Sequence, residues 1–278
     1  GTSELSFAKS GGTNMSLSEA EALLDALRYR NDSEDPATNN RVFSVVADDG
    51  RTPSTAATFT VSVNKVNDAP VISVGNGDSA AVNLLESGTA NLSASGTLTV
   101  RDPDLLNTVT TSKVSVAATG TTIGLGSDNT ALLAMLALSN GNVISSTQTS
   151  GTINWSFDSG SETFAYLASG ESLVLTYTIK ATDSVQSDSA NQTVVVTING
   201  ASSAPVITGG PDVALLDETN TGLNTSGTLT VTDPDLANTL TSSVTVAASG
   251  TTSSATPINA DLLAMFSVTS SMACRGLP

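Results

Sequence analysis

Thirteen residues, SGTLTVRDPDLLN at Ser95–Asn107, return almost unchanged as SGTLTVTDPDLAN at Ser226–Asn238, 131 positions further along the chain. The agreement continues through VSVAATG at Val114–Gly120 and VTVAASG at Val244–Gly250, and again through LLAM at Leu132–Met135 and Leu262–Met265. Upstream, Ala69-Pro70-Val71-Ile72 matches Ala204-Pro205-Val206-Ile207, and Glu86 matches Glu218 at the end of a short Leu-rich segment. A repeat this close obliges both copies to fold by the same rules, so the chain is read unit by unit. One unit runs over residues 70–204 and restarts over 205–278, while residues 1–69 read as the end of an earlier unit. That earlier stretch closes with Arg41–Ala47, a break at Asp48-Asp49-Gly50, and the alternating run Ala57–Val66. The middle unit closes the same way, with Ser172–Ala181, a break at Thr182-Asp183-Ser184, and Asn191–Ile198.

Within the unit the apolar period is two. Leu98 and Val100 share one strand face, as do Trp155 and Phe157, Phe164 and Tyr166, and Leu173, Leu175 and Tyr177. Charged residues make up only 13% of the chain, so Ser, Thr and Asn must supply the polar surface, a composition that favours strands and turns over helices. With so little helix to cover a sheet, two antiparallel sheets packed face to face are the simplest all-β solution. Two short helices are expected, at Ser18–Ala26 with Ser18 and Glu21 as a capping box, and near Thr130–Leu138.

Acidic residues outnumber basic ones 26 to 10, for a net charge of -16. A nucleic-acid partner needs a basic footprint and is excluded. No stretch is long and apolar enough for membrane insertion, and the first residues lack the pattern of a secretory leader, so an exported parent would carry its signal elsewhere. There is no histidine, which removes imidazole bases, the Ser-His-Asp and Cys-His arrangements, and the usual zinc ligands. The single cysteine, Cys274, allows no internal disulfide. Asp102 and Asp104 are the best carboxylate pair for glycoside chemistry, but two residues flanking a proline sit in one turn, not across a sugar-sized cleft. The chain does not read as an enzyme. Trp155, alternating with Phe157, reads as core, and so do Met135 and Met265.

The carboxylates gather at the unit boundaries. Asp102-Pro103-Asp104 follows a strand directly, with Asn107 three residues on, and Asp233, Asp235 and Asn238 repeat the arrangement. Asp48, Asp49 and the linker pair Asn67-Asp68 are further oxygen donors near unit ends. Two accounts fit these residues. Calcium takes six to eight hard oxygen ligands, and clustered carboxylates repel until a cation neutralises them. Alternatively, Asp-Pro-Asp after a strand is simply a good turn, its side chains capping local amides.

The stretch Gly96–Asp104, the W-x-F of Trp155–Phe157, the run Phe164–Thr178, Asp183 and the final alternating strand together resemble the VCBS-type repeats of large bacterial adhesins and exoproteins. The junction Asn67-Asp68-Ala69-Pro70-Val71-Ile72 is similar to the seam between such repeats and their cadherin-like relatives. The resemblance implies tandem cadherin-like or immunoglobulin-like Greek-key β-sandwiches, secreted or displayed on the cell surface. It implies an adhesive or spacer role, with neighbouring repeats as partners and a surface glycan or protein as a possible ligand. It also implies structural Ca2+ at the first joint, held by Asn67, Asp68, Asp102, Asp104 and Asn107, with Asp48 or Asp49 and Asp183 completing the shell; Glu86 and Glu218 are weaker candidates. At the second joint Ser202-Ser203 replaces Asn67-Asp68 although Asp233 and Asp235 remain, so that joint is expected to be more flexible or metal-free. The competing reading is a carbohydrate-binding or accessory module of a secreted enzyme, which would need an exposed aromatic strip.

Overall fold

The structure, a computed structural model, describes residues 5–10, 13–88, 91–185, 189–209, 213–249 and 259–268. Cys274 and the SMACRGLP tail, which departs from the repeat, lie outside the described residues. The first segment contributes a helix α1 (Leu17–Asp25) and a hairpin of β1 (Arg41–Val45) and β2 (Ala57–Val61). The middle unit runs β3 (Val71–Ser73), β4 (Ala81–Leu85), β5 (Ser93–Arg101), β6 (Val109–Gly120), α2 (Asn129–Ala134), β7 (Leu136–Leu138), β8 (Asn142–Ile144), β9 (Ser150–Asp158), β10 (Ser172–Asp183) and β11 (Ser189–Asn199). The last segment adds β12 (Val206–Thr208), β13 (Thr230–Thr232) and α3 (Asn259–Ala264).

The middle unit is a two-sheet sandwich. One sheet has the order β3-β5-β9-β7 and the other β4-β11-β10-β6-β8, so consecutive strands cross between layers as a Greek key requires. These orders match the two sheets of the immunoglobulin-like fold, with β4 joining the second sheet parallel to β11. Period-two burial drives the assembly: along β10 each alternate residue from Leu173 to Asp183 is buried. Leu98, Val100, Ile153 and Phe157 from one sheet meet Leu175, Tyr177, Val196 and Ile198 from the other, all at most 1% exposed. Burying each such side chain contributes about 1.5–3 kcal/mol, so the sandwich is stabilised mainly by this layer.

Local contacts fix the register. Trp155 is buried, and its Nε1 donates to the Ser79 carbonyl at 2.8 Å. Gly96 lies directly opposite it, where a Cβ would stand 2.6 Å from the indole ring, so only glycine admits the ring there. Tyr177 stacks edge-on with Phe157 and donates its hydroxyl to the Leu132 carbonyl at 2.9 Å, tying α2 to the core. Lys113 donates to the Leu133 carbonyl at the C-terminal end of α2, where a cation offsets the helix dipole, and to the Leu136 carbonyl at the start of β7. At the other side of the sandwich, Asp78 accepts from the hydroxyls of Thr97 and Thr99, both at 2.7 Å, and pins the turn before β4 onto β5.

The structure corrects three local expectations. Phe164 and Tyr166, expected to share a strand face, are buried in the irregular connection between β9 and β10, with Phe164 at positive φ. The α1 capping box is Ser16 with Glu19, not Ser18 with Glu21: Ser16 is extended, its hydroxyl accepts from the Glu19 amide, and Glu19 reaches back to the Ser16 amide. Both spacings satisfy the same S-x-x-E pattern, and the Lys9–Glu19 ion pair adds support to the earlier one. In the middle unit, β10 continues through the expected break to Asp183, whose pairing with Val109 closes the ladder.

Candidate interdomain joints

The first joint is built where the linker after β2 meets the loops at one end of the sandwich. The β5–β6 loop carries Asp102, Pro103, Asp104 and Asn107, and the β10–β11 turn brings Asp183 to the same end. Asp102 is fully buried, and Asp104, Asn107 and Asp183 are each at most 6% exposed. The Asp104 amide donates to Asp102 Oδ1 at 3.0 Å, an Asx turn that proline stiffens. The linker docks onto this loop. Asp68 donates its backbone N–H to Asp104 Oδ2 at 2.6 Å, Asn67 Nδ2 donates to Asp183 Oδ2 at 2.8 Å, and Asn107 Nδ2 donates to Asn67 Oδ1 at 2.7 Å.

One oxygen is left over. Asp102 Oδ2 is buried and has no hydrogen-bond partner. Burial pushes the Asp102 carboxyl above the usual carboxylate range, the Asp104 amide pulls it back, and the nearby charges of Asp104, Asp183 and Asp68 raise it further. Ion pairs among the described residues are Lys9–Glu19, Arg30–Asp32 and Lys65–Asp35; none reaches Asp102 or Asp104. The donor set, carboxylate and amide oxygens with one bare buried oxygen, suits a hard cation such as calcium. As the side chains stand, no three Asp, Glu, His or Cys groups among the described residues converge tightly enough to hold a metal, and the asparagine amides run from Asn107 through Asn67 to Asp183.

The structure does not bring Asp48 and Asp49 to this joint. Both sit at the tip of the β1–β2 hairpin, where Asp48 Oδ1 accepts from the Gly50 amide and Asp49 Oδ1 from the amides of Arg51 and Thr52. β2 starts beside that tip and runs away from it, pairing Val61 with Arg41 at the far end, so the linker leaves from the opposite end of the hairpin. Asp183 shows the same geometry one unit on: its turn faces the joint before its own unit, and Asp49 holds the matching turn position of the first segment. A residue not singled out in the sequence stands nearer the linker. Asp35, also followed by proline, pairs with Lys65, two residues before Asn67. No spacing signal marks it, because that contact depends on the path of the chain between α1 and β1.

The second joint keeps the backbone pattern and changes its side chains. The Asp235 amide donates to Asp233 Oδ1 at 3.0 Å and the Ser203 amide to Asp235 Oδ2 at 2.9 Å, the same two bonds as at the first joint. With Asn67 replaced by Ser202, Asn238 turns back onto Asp235 Oδ2 at 2.6 Å. Asp235 Oδ1 is here the buried oxygen without a partner. Two contacts from the middle unit brace this joint. Glu86, 1% exposed, accepts from Ala201 N at 3.0 Å and from Gly88 N at 2.8 Å, so its carboxylate holds the linker directly. Leu236 of the last segment lies against Tyr166 and against Gly124, whose φ of +97° and lack of Cβ leave the space that Leu236 fills.

No family model matches the chain, and no curated protein matches it. Among solved structures, the CooA pilin subunit from enterotoxigenic Escherichia coli is 12% identical over 48% of this chain and 99% of its own, with a TM-score of 0.31. The PapD-like domain 7 of human CEP192 is 8% identical over 53% of this chain and 95% of its own, with a TM-score of 0.31. Zebrafish RET cadherin-like domains 1 to 4 match at 12% identity over 58% of this chain and 33% of their own, with a TM-score of 0.24. Scores this low carry no argument about function. The chain's own sheet order defines the class: an immunoglobulin-like, cadherin-like β-sandwich with only short helices among the described residues. No helix among the described residues is long and apolar enough to cross a membrane.

Proposed function

We propose that this chain is a run of structural or adhesive repeats from a large secreted or surface-displayed bacterial protein, similar to VCBS-type and cadherin-like repeats, and that calcium stiffens its first joint. The observation that carries the metal reading is the buried, unpartnered Asp102 Oδ2 among three further carboxylates, at a linker already bonded to the same loop. A cation there would offset the repulsion that burial imposes. Asn67, Asp68, Asp102, Asp104, Asn107 and Asp183 are the residues that would hold it. The array reading rests on the repeat itself and on the two linkers, each docked by the same amide-to-carboxylate bond. A carbohydrate-binding strip finds no material in the complete unit, where Trp155, Phe157, Phe164, Tyr166 and Tyr177 are all buried.

Thermal unfolding in millimolar calcium and then in chelator tests the metal, using the parent chain and a variant carrying D102N and D104N. The expected result is a melt raised by calcium in the parent and unchanged in the variant; ligand at a hundred times its dissociation constant adds about 2.7 kcal/mol. Equal melts with and without calcium in the parent would leave a metal-independent spacer.

A further inference from the structure

The chain continues on both sides of the complete unit, and tension along it has a defined path through the sandwich. The linker enters beside Asp104, and β3 starts at that end, pairing Val71 with Arg101 just before Asp102. β10 finishes at the same end with Asp183, so β11 starts there and leaves at the opposite end with Asn199. A pull on the two linkers therefore draws the start of the unit one way and the end of β11 the other.

The element that meets this pull is β4. It lies at the edge of its sheet beside β11, and theirs is the one parallel pairing among the described strands. The ladder opens with the Val195 amide on the Ala80 carbonyl at 2.8 Å and closes with the Glu86 amide on the Asn199 carbonyl at 2.9 Å. Between those ends parallel bonding turns the amides of Val82 and Leu84 toward β11 and that of Asn83 away from it. Val82 and Leu84 also pack against the core, and Asn199 Nδ2 donates to the Leu84 carbonyl at 3.2 Å. Just beyond β11 the Glu86 carboxylate holds the Ala201 amide, which extends the grip to the point where the chain leaves. Ahead of β4 the chain is tied to the facing sheet, with the Ser79 amide on the Thr97 carbonyl and the Trp155 indole on the Ser79 carbonyl. Pulled from the two linkers, β4 and β11 must slide along each other, so the ladder bonds are loaded together. Pulled apart sideways from one end, the same bonds would open one after another at a lower force.

We propose that the parallel β4–β11 ladder is a mechanical clamp through which the complete unit bears tension along the chain. The clamp rests on the array reading only for the source of that tension, and a unit that yields easily would leave the array reading intact. It needs no cation at the first joint, so chelator leaves it in place.

Optical tweezers test this on the full chain in chelator, with two pulling directions. Handles on the two termini load the ladder in shear. Handles at Leu85→Cys and Ser202→Cys, both exposed positions, with Cys274→Ser to keep the attachment unique, peel it from its Glu86 end. In either direction unfolding of the unit releases about 400 Å of chain, which identifies the event. Forced unfolding is governed by the unfolding rate, and at one loading rate the shear force should be at least about twice the peel force. Equal forces in the two directions would overturn the proposal. Two proline substitutions then locate the clamp, with a Trp155 fluorescence melt to check that each folds. V82P removes a ladder amide and should lower the end-to-end force by about half, whereas N83P, whose lost amide faces away from β11, should keep it. Equal end-to-end forces for V82P and N83P would place the resistance elsewhere and overturn the clamp. Should V82P fail to fold, the comparison of directions in the parent decides by itself.

Discussion

The segments Ser95–Arg101 and Ser226–Thr232 differ only at their last residue, yet their side chains meet opposite fates. In the middle unit Leu98 and Val100 are fully buried within a nine-residue strand paired on both sides; in the last segment Leu229 and Val231 are largely exposed and only Thr230–Thr232 are strand. Alternation marks which face could be buried, and a strand becomes long and ordered only where the facing sheet supplies the apolar layer. The largest test of this contrast is truncation. Leu98→Ala should cost about 2–5 kcal/mol through lost burial and a residual cavity. Leu229→Ala should stay within about 0.5 kcal/mol in dilute solution. Urea unfolding followed by fluorescence reads the middle unit alone, because Trp155 is the only tryptophan. Equal losses for the two variants would show that Leu229 is coupled to the core that Trp155 reports, against this contrast.

The joints make a second pair. Both dock the linker by an amide on the second Asp of the Asp-Pro-Asp loop, but the first is wired through Asn67 and the second through Glu86. Glu86→Ala would leave the amides of Gly88 and Ala201 without their carboxylate. Hydrogen bonds to a charged group contribute about 1.5–3 kcal/mol, so the loss should be about 2 kcal/mol, equal in calcium and in chelator. Small-angle scattering on the same variant should show a wider spread of end-to-end lengths from the second joint. An unchanged melt and unchanged scattering would mean that Leu236 against Tyr166 holds the joint without help.

Much of this was legible in the residues. Period-two alternation placed β9 and β10, and the repeat placed both Asp-Pro-Asp loops at linkers, because each signal is local in sequence. The partners of those loops were less legible. Asp183 and Asn67 meet across 116 positions. Asp49 holds the turn position of Asp183, with Asp48 beside it; a turn equivalent to Asp183 faces the joint before its own unit, which only the strand directions reveal. Asp35 carried no pattern at all. Glu86 was visible as a conserved position of the internal repeat, but its grip on Ala201 follows from the parallel pairing of β4 with β11, a contact between strands more than a hundred residues apart.

The Asp102 carboxylate predicts an inversion of sign. Its folded-state carboxyl is raised by burial, so the charged form is costly in the fold unless a cation accompanies it. Asp102→Asn keeps an oxygen for the Asp104 amide while removing the buried charge. In chelator at neutral pH the variant should melt slightly higher than the parent. In calcium it should melt lower, because the parent alone gains the metal. A variant that melts lower under both conditions would show that Oδ2 has a role other than awaiting a cation.

The smallest effect separates Asp102 from Asp78, two carboxylates of one sandwich shifted in opposite directions. Asp78 is held below the usual range by the Thr97 hydroxyl first, then by that of Thr99. A depressed carboxyl contributes stability that is present above its unfolded value, about 3.9, and is lost as the pH falls through the folded one. A raised carboxyl does the reverse, its cost disappearing as the pH drops below its folded value. Thr97→Val removes one of the two hydroxyl bonds to Asp78 without changing the strand's shape. It should lower the melt at neutral pH by a few degrees, and the difference from the parent should shrink as the pH falls through the lowered folded-state value of Asp78. In Asp102→Asn without calcium the advantage over the parent should shrink over the same descent, because the parent's buried charge is being neutralised. Melts of both variants across pH 3 to 7 read the two signs directly; a Thr97→Val deficit that stays constant with pH would mean the hydroxyl acts by packing and not through the Asp78 charge.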